Sequence, residues 1–317
     1  MKRFGDILVV CDEQSATEQA LDKVAWLAKA NEAKITLIDT IDNEPGELAR
    51  LFSVFSTPEA AEIEEDVIAD HRDRLNGVAD GLRAQGLEVK TDVLLGSPFI
   101  QVIRKVMRDG HDLVIKGAQR SAAHPVFQSA DMHLMRKCPC PVWMLNTPGA
   151  TQVRHILAAV DPDPDDETRD KLNHTVMELA TSLAQREGAK LDVVNVWRLQ
   201  EEGALRRSRA RLTEAQIQKI LDEEQARSAA RLDTLMASFA EFKDIARVLH
   251  LKGLAEDVIP EHAKAESVDT IVMGTVGRTG VSGFIIGNTA ETILNRVSCS
   301  VLTVKPVGFE SPVELDG

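Results

Sequence analysis

Short apolar runs alternate with longer amphipathic stretches along most of the chain. In the first half, five runs rich in Val, Ile and Leu and bounded by polar or turn-forming residues predict buried strands. They lie near 6–12, 34–40, 87–95, 112–117 and 141–146. Apolar residues at helical spacing predict helices from about Thr17, from Pro58 to about Gln85, over 98–109 and over 128–137. This alternation is typical of an α/β fold whose parallel sheet is covered by helices on both faces.

The second half of the chain repeats the pattern of the first. The run GDILVVCD, which ends at Asp12, matches HILAAVD, which ends at Asp161. DLVIKG at 112–117 matches DTIVMG at 269–274, and the offset between matched segments drifts only from 149 to 159 residues. The second copy has a longer second helix, predicted over about 212–242. An internal repeat of this kind indicates two copies of one domain, placed here at 1–147 and 153–308.

A glycine-rich segment follows the fourth strand of the second copy. The strand Thr270-Ile271-Val272-Met273 is followed by Gly274, two residues, Gly277, nine residues and Gly287, and a helical pattern then begins. Glycines let backbone N–H groups approach a ligand closely, and a helix N-terminus favours an anion. The spacing is neither that of a Walker loop nor a compact G-x-G-x-x-G. The segment therefore predicts a phosphate-binding loop of another kind, with glycines that only serve turns as the alternative.

This glycine spacing, preceded by IVMG and followed by CSVLTVKP, resembles the universal stress protein family, and the tandem repeat resembles its tandem-domain type. The resemblance implies an adenine nucleotide alpha hydrolase-like, Rossmann-like fold of two doubly wound parallel five-stranded sheets, each with strand order 3-2-1-4-5. It also implies a stress-response function and an intramolecular pseudo-dimer in which the last strands of the two copies run antiparallel side by side. It leaves a homodimer of the whole chain open.

In such a sheet a ligand binds beyond the carboxyl ends of the strands, where the strand order reverses. The family's nucleotide-binding positions, with the neighbouring Arg278, carry over to Asp161, Val196, Met273, Gly274, Gly277, Arg278, Gly287, Asn288 and Thr289. The cofactor implied is ATP or a related adenine nucleotide, with Mg²⁺ as a companion. Asn288 stands where nucleotide-binding members carry Ser or Thr. The alternatives are a loop-capping turn for Asp161 and core packing for Val196 and Met273.

Five carboxylates lie in the seven residues from Asp161 to Glu167. Without a divalent cation they would repel a triphosphate, but a solvated turn that begins a helix also explains them. Three functions follow: a nucleotide-binding stress protein, a binding or scaffold protein for an apolar or sugar-phosphate ligand, and a slow ATPase. The ATPase is the least favoured because the sequence has no catalytic motif and no Lys in the glycine segment. We therefore expect no enzyme activity.

The first copy has lost the glycine spacing. Gly117 is retained, but Arg120 stands at the position of Gly277, and Lys116 replaces Met273. Phosphate binding of the family type is therefore expected only in the second copy. His124 and His133 give a weak metal signal, with surface or core roles favoured. The apolar segment 48–55 predicts either a lid or partner patch, or a short helix packed on the sheet.

Composition narrows the function classes. The chain has 317 residues, of which 44% are hydrophobic, and a net charge of −13. An acidic chain lacks the basic face that nucleic-acid binding needs. No apolar run approaches the ~20 residues of a membrane span, and the start does not resemble a signal peptide. We expect four reduced cysteines, a cytoplasmic protein and a small-molecule ligand, without nucleic-acid or membrane partners.

Overall fold

The first half of the chain alternates strands and helices as its apolar pattern predicts. The computed structural model describes residues 4–12, 18–42, 57–118, 127–146, 153–207, 212–275 and 287–315. The first-half elements are β1 (Asp6–Val10), α1 (Glu18–Asn31), β2 (Lys34–Ile41), α2 (Thr57–Arg83), β3 (Val89–Leu95), α3 (Pro98–Asp109), β4 (Leu113–Gly117), α4 (Ser129–Lys137) and β5 (Val142–Leu145).

The second half repeats these elements, and its described residues also include a short helix after its second strand. They are β6 (His155–Val160), α5 (Glu167–Glu187), β7 (Lys190–Trp197), α6 (Glu202–Arg206), α7 (Glu214–Ala237), β8 (Ala246–Lys252), α8 (Ala255–Ala265), β9 (Thr270–Gly274), α9 (Asn288–Leu294) and β10 (Ser300–Val304). The helix predicted to reach about 242 ends at Ala237, and a 3₁₀ turn over Ala240–Phe242 follows. Phe239, which is buried, marks this change of direction.

The ten strands form one continuous sheet in the order β3-β2-β1-β4-β5-β10-β9-β6-β7-β8. Within each half, neighbouring strands are parallel and follow the order 3-2-1-4-5, as expected. The two five-stranded sheets are therefore not separate layers. They are two halves of one sheet, and the only change of strand direction between neighbours is at the junction of β5 and β10.

The junction between the halves is an antiparallel pair. Trp143 lies opposite Leu302, and Met144 lies opposite Val301. All four side chains are at most 3% exposed. The apolar last strands would be exposed edges in isolated halves, and this pairing removes both edges.

Side chains also connect the halves around this junction. The Thr303 hydroxyl donates to the Val142 carbonyl at 3.2 Å, and the Asn146 N–H donates to Ser300 Oγ at 3.0 Å. Arg136 on α4 forms an ion pair with Glu291 on α9. These polar contacts fix the register of two strands that apolar packing alone would leave free to slide.

Helices cover both faces of the sheet. One face packs against α1, α2, α5 and α7, and its core includes Val24, Leu75, Val176 and Leu232. The other face packs against α3, α4, α8 and α9. The inner strands are therefore buried on both sides, which explains why they are apolar runs rather than alternating patterns, whereas the outer strands β3 and β8 are mostly half-buried or exposed.

Candidate functional site

The strand order of the second half reverses between β6 and β9. Ala159 on β6 lies opposite Met273 on β9, so Asp161 and Gly274 follow on neighbouring strands at the same edge. On the other side of β6, Val160 lies opposite Asn195 of β7. This edge is where ligands bind in doubly wound sheets.

Asp161 is anchored by helix α5. Its backbone N–H donates to Asn173 Oδ1 at 2.8 Å, and Asn173 Nδ2 donates back to its carbonyl at 3.0 Å. Its carboxylate accepts from Arg169 Nη2 at 2.8 Å, and its side chain is 49% exposed. A half-exposed carboxylate with a fixed backbone is suited to accepting hydrogen bonds from a ligand.

Two arginines compensate the acidic loop that follows. Arg169 binds Asp163 Oδ2 at 2.6 Å, and Arg231, from α7, lies 3.1 Å from Asp163 Oδ1. Asp166 caps α5, and its carboxylate accepts from the N–H groups of Thr168 and Arg169, both at 3.1 Å. The loop is therefore an arginine-paired helix start, and its repulsion of an anion is smaller than the sequence alone suggested.

The two apolar candidates pack in the core of the second face. Met273 is 4% exposed, and Val196 is half-buried against the same core. Val196 does not end its strand, because β7 continues through Trp197. Trp197 is buried and stacks on His250 of β8, with ring centroids 5.9 Å apart.

Gly274 lies in close contact with α5. A Cβ at this position would be 2.7 Å from Leu172 Cδ2, so a side chain requires Leu172 to move. The next residue, Thr275, is fully buried, and its carbonyl accepts from the Gly287 N–H at 2.9 Å. The two ends of the glycine segment therefore meet at one point, immediately beyond β9.

Gly277 and Arg278 lie outside the described residues. Of the remaining candidates on this segment, Gly287 is the N-cap of α9, and Asn288 and Thr289 are exposed in its first turn. The described part of the structure therefore brings Asp161, Val196, Met273 and Gly274 to one edge, with Gly287, Asn288 and Thr289 joined to it through Thr275.

A series of hydrogen bonds between half-buried and buried polar side chains at this edge was not predicted. Asn195 Nδ2 donates to the Val160 carbonyl at 3.0 Å, Ser228 Oγ donates to Asn195 Oδ1 at 3.1 Å, and His250 Nε2 lies 3.0 Å from Ser228 Oγ. Burial lowers the pKa of His250. The available signal was a polar Asn195 inside an apolar strand, at the position that Asp39 occupies in the first copy. These hydrogen bonds hold Val160, the last residue of β6, in place immediately before Asp161.

The same edge of the first half is filled by its own side chains. Lys116, 6% exposed at the end of β4, lies 3.0 Å from a carboxylate oxygen of Asp12 and 3.0 Å from one of Asp131. Asp39 on β2 is bound by His71 at 2.7 Å and by Arg74. The buried ammonium and its two carboxylates occupy the region where the second half offers Met273 and Gly274.

The weak metal signal of the first half is not supported by its described residue. His133 stacks on Phe99 with ring centroids 4.8 Å apart, which is a packing role. His124 and the apolar segment 48–55 lie outside the described residues. Among the described helices, none is long and apolar enough to cross a membrane.

A doubly wound strand order that occurs in both halves of the chain defines a tandem α/β protein. The chain belongs to the universal stress protein family, whose model matches residues 3–146 and 152–305. It is similar to universal stress protein E of Escherichia coli strain K12, with 28% identity over 320 residues that cover 100% of this chain and 98% of that protein. It is also similar to the universal stress protein E homolog of Haemophilus influenzae, with 28% identity over 322 residues that cover 96% and 98% of the two chains.

Solved structures have the same fold. A protein of unknown function from Pseudomonas aeruginosa PAO1 superposes with a TM-score of 0.73 at 24% identity, covering 96% of this chain and 94% of its own. A universal stress protein from Archaeoglobus fulgidus DSM 4304 superposes with a TM-score of 0.59 at 15% identity, covering 95% and 98%. Both matches cover the two halves together, so the tandem arrangement is shared.

Proposed function

We propose that the second half binds an adenine nucleotide of the ATP type at the edge where β6 and β9 end, and that the protein serves a cytoplasmic stress response. The observation that carries the proposal is the position of Gly274. It follows β9 at the edge where Asp161 follows the neighbouring strand β6, and it begins a glycine segment whose two ends meet at Thr275. Membership in the universal stress protein family supports the same assignment.

Each candidate residue has a role that suits its chemistry. The carboxylate of Asp161 accepts hydrogen bonds from ribose hydroxyls, and Val196 and Met273 provide apolar contact for the base. Gly274, Gly277 and Gly287 leave room for phosphates to approach the backbone. Arg278, Asn288 and Thr289 supply a positive charge and side-chain donors to those phosphates.

The arginine pairs of the acidic loop make an anion at this edge more acceptable. Asp163 already interacts with Arg169 and Arg231, and Asp166 is used as a helix cap. We therefore assign no residue of this loop as a ligand of Mg²⁺. Mg²⁺ would accompany the phosphates of the nucleotide.

We propose binding without hydrolysis, at a single site. The glycine segment contains no lysine, and Arg278 is its only basic residue. In the first half, Lys116 and its two carboxylates take up the equivalent edge. One chain would therefore hold one nucleotide, and the first half would complete the pseudo-dimer.

Asn288 favours a second candidate. It replaces the Ser or Thr expected at the phosphates, which would suit a non-ATP ligand such as a sugar phosphate, or an apolar ligand held by a scaffold protein. Native mass spectrometry of the full-length protein as purified distinguishes the candidates, because the mass of the retained ligand identifies its class.

Calorimetric titration with ATP, ADP and AMP tests the site itself. We expect at most one nucleotide per chain, and loss of binding in Gly277→Val. Arg120→Val is the matched control, because Arg120 stands at the same position of the first copy. Two equivalent sites, or binding that Gly277→Val leaves unchanged, would contradict the proposal. ATP turnover above that of a Gly277→Val preparation would contradict binding without hydrolysis.

A further inference from the structure

A second cluster of chemically active side chains lies at the opposite edge of the second half, near the beginnings of its strands. His155 begins β6, Asp192 is near the beginning of β7, and His262 and Glu266 lie at the C-terminal end of α8. His155 and Asp192 are buried, and His262 is half-buried. None of these residues belongs to the proposed nucleotide site.

The two ring nitrogens of His155 face two acceptors. Nδ1 lies 3.1 Å from the carbonyl oxygen of Glu266, which can only accept, so Nδ1 carries the proton. In the neutral ring Nε2 then carries the lone pair. This atom is buried, makes no hydrogen bond to any described residue, and lies 3.1 Å from Asp192 Oδ2. In this tautomer neither atom can donate to the other, whereas a cation bound between them would interact with both.

His262 and Glu266 lie close to this His–Asp pair. His262 Nε2 lies 2.8 Å from the same oxygen, Asp192 Oδ2. One ligand atom each from His155, Asp192 and Glu266 lies within 4.8 Å of the others. Around a tetrahedral Zn²⁺, ligand atoms about 2.0–2.1 Å from the metal lie about 3.3 Å from one another. The two His–Asp separations are within about 0.5 Å of that edge length. A metal-bound His also commonly donates its other N–H to a carbonyl, as His155 does here.

The first half has a built-in cation at the equivalent place. The repeat offset of 157 residues matches Val89–Leu95 with Ala246–Lys252 and places Lys105 at the position of His262 and Asp109 at that of Glu266. Lys105 Nζ lies 2.8 Å from Asp92 and 2.9 Å from Asp109. In the second half a histidine replaces this lysine while the acidic position is retained.

Arg247 of β8 is the competing cation. Its Nε donates to Asp192 Oδ1 at 2.8 Å, and its Nη2 lies 2.7 Å from Oδ2 and 3.1 Å from Glu266 Oε2. The side chain is 50% exposed, so its Nη2 can leave Oδ2 while Nε stays on Oδ1. Asp192 would then present Oδ2 to a metal and remain oriented through Oδ1.

We propose that His155, Asp192, His262 and Glu266 form a binding site for a borderline divalent cation, Zn²⁺, and that Arg247 competes with the metal for Asp192. Four protein ligands leave no open position, so the site would be structural rather than catalytic. A bound ion would tie β6, β7 and α8 together at the edge opposite the proposed nucleotide site.

The test is zinc binding by the full-length chain after treatment with a chelator, measured by calorimetry and by competition with a chromophoric zinc indicator. All proteins carry Cys138→Ser and Cys140→Ser, because these thiols lie 3.6 Å apart and would bind zinc themselves. We expect one Zn²⁺ per chain, and affinity at least about 100-fold lower in His155→Gln and in His262→Gln, because loss of a ligand should exceed the 10–100-fold cost of a second-shell change. Co²⁺ in place of Zn²⁺ should give the visible absorption of a tetrahedral complex.

Two further variants separate a metal site from an ion-pair cluster. His174→Gln is the matched control, because Nδ1 of His174 also faces a backbone carbonyl, at 2.9 Å, and lies 3.5 Å from a carboxylate oxygen of Asp170. This variant should bind zinc like the parent. Arg247→Met should raise zinc affinity several-fold by removing the competing cation. No zinc binding by the parent, equal weakening in His174→Gln, or unchanged or weaker binding in Arg247→Met would overturn the proposal. The Co²⁺ spectrum and Arg247→Met decide the question even where a histidine variant fails to fold.

Discussion

Leu302 lies directly opposite Trp143 in the antiparallel pair that joins the two halves, and both side chains are at most 3% exposed. Truncating Leu302 leaves a cavity in the middle of a ten-stranded sheet. We expect Leu302→Ala to lower the free energy of unfolding in urea by about 2–5 kcal/mol. Leu254→Ala is the control, because Leu254 is 36% exposed and should change stability little. Equal effects of the two substitutions would show that the junction is not packed.

The same pair should hold the halves together after the chain is cut. With a protease site inserted between Asn146 and Val153, we expect the two cleaved halves to elute as one species from a sizing column. Val301→Pro removes a backbone donor from β10, opposite Met144, at a cost of about 3 kcal/mol or more. The cleaved Val301→Pro protein should separate. Free separation of the cleaved parent protein would contradict a shared strand interface.

The sequence itself shows that the last strand of each half is apolar and needs cover. That the two last strands cover each other as an antiparallel pair was expected from the resemblance to the universal stress protein family. The strand order within each half was expected from the same resemblance, whereas the strands themselves and the glycine segment were predictable from the residues, because short apolar runs and glycine spacing are local signals. Some elements end a few residues from their predicted positions: β1 ends at Val10 and α7 ends at Ala237. The burial of nearby side chains determines where each of these elements ends.

The polar contacts of the sites were not predictable. Arg231, on α7, reaches Asp163 across 68 positions of the chain. Asn195, Ser228 and His250 meet only because two strands and a helix bring them together. Neither spacing nor residue type marks such partners beforehand. The acidic loop is the clearest case, because its sequence suggests repulsion while its folded neighbours compensate the charge.

Lys116 should be important for the stability of the first half. Its ammonium is buried between the carboxylates of Asp12 and Asp131, and Asp131 is fully buried. Lys116→Met removes a buried cation that interacts with both carboxylates, and we expect a loss of about 3–5 kcal/mol in urea unfolding. The double variant Lys116→Met with Asp131→Leu should regain most of that loss.

Lys171→Met provides the comparison for this prediction. Lys171 pairs with Glu167 on the surface, where the two side chains are 58% and 81% exposed, and such pairs contribute less than about 1 kcal/mol. A Lys116→Met protein as stable as Lys171→Met would mean that the buried ion pair is not formed in solution.

We expect any side chain at position 274 to lower the stability of the protein. A Cβ there would lie 2.7 Å from Leu172 Cδ2 and 3.2 Å from Leu172 Cγ, so the Leu172 side chain on α5 must shift to make room. We expect Gly274→Ala to lower the free energy of unfolding by about 1–3 kcal/mol in thermal or urea unfolding. Adding Leu172→Ala to the same chain should relieve part of the strain.

Gly77→Ala on α2 is the control, because nothing lies within 4 Å of its Cβ. It should be neutral or stabilising by up to about 1 kcal/mol. If the two alanine variants behave alike, the close approach of α5 to Gly274 is wrong.

Lys305 should give the protein an unusual dependence of stability on pH. Its ammonium, buried at the end of β10, donates to the Met135 carbonyl of the other half at 2.7 Å and to Thr275 Oγ1. Burial lowers the pKa of this lysine to about 7, whereas the unfolded chain keeps the ordinary value of about 10.4. Between these two values the unfolded state binds one more proton than the folded state, so the free energy of unfolding rises with pH. The contribution is at most about 1.4 kcal/mol per pH unit.

Urea unfolding of the parent and of Lys305→Met at several values between about pH 7 and pH 10 measures this contribution. The difference between the two proteins isolates Lys305 from all other groups. We expect the parent to gain stability relative to Lys305→Met as the pH rises, whereas Lys264→Met, which removes an exposed lysine, should run parallel to the parent. Parallel curves for the parent and Lys305→Met would mean that the amine is solvated and that the contact between β10 and α4 is not as described.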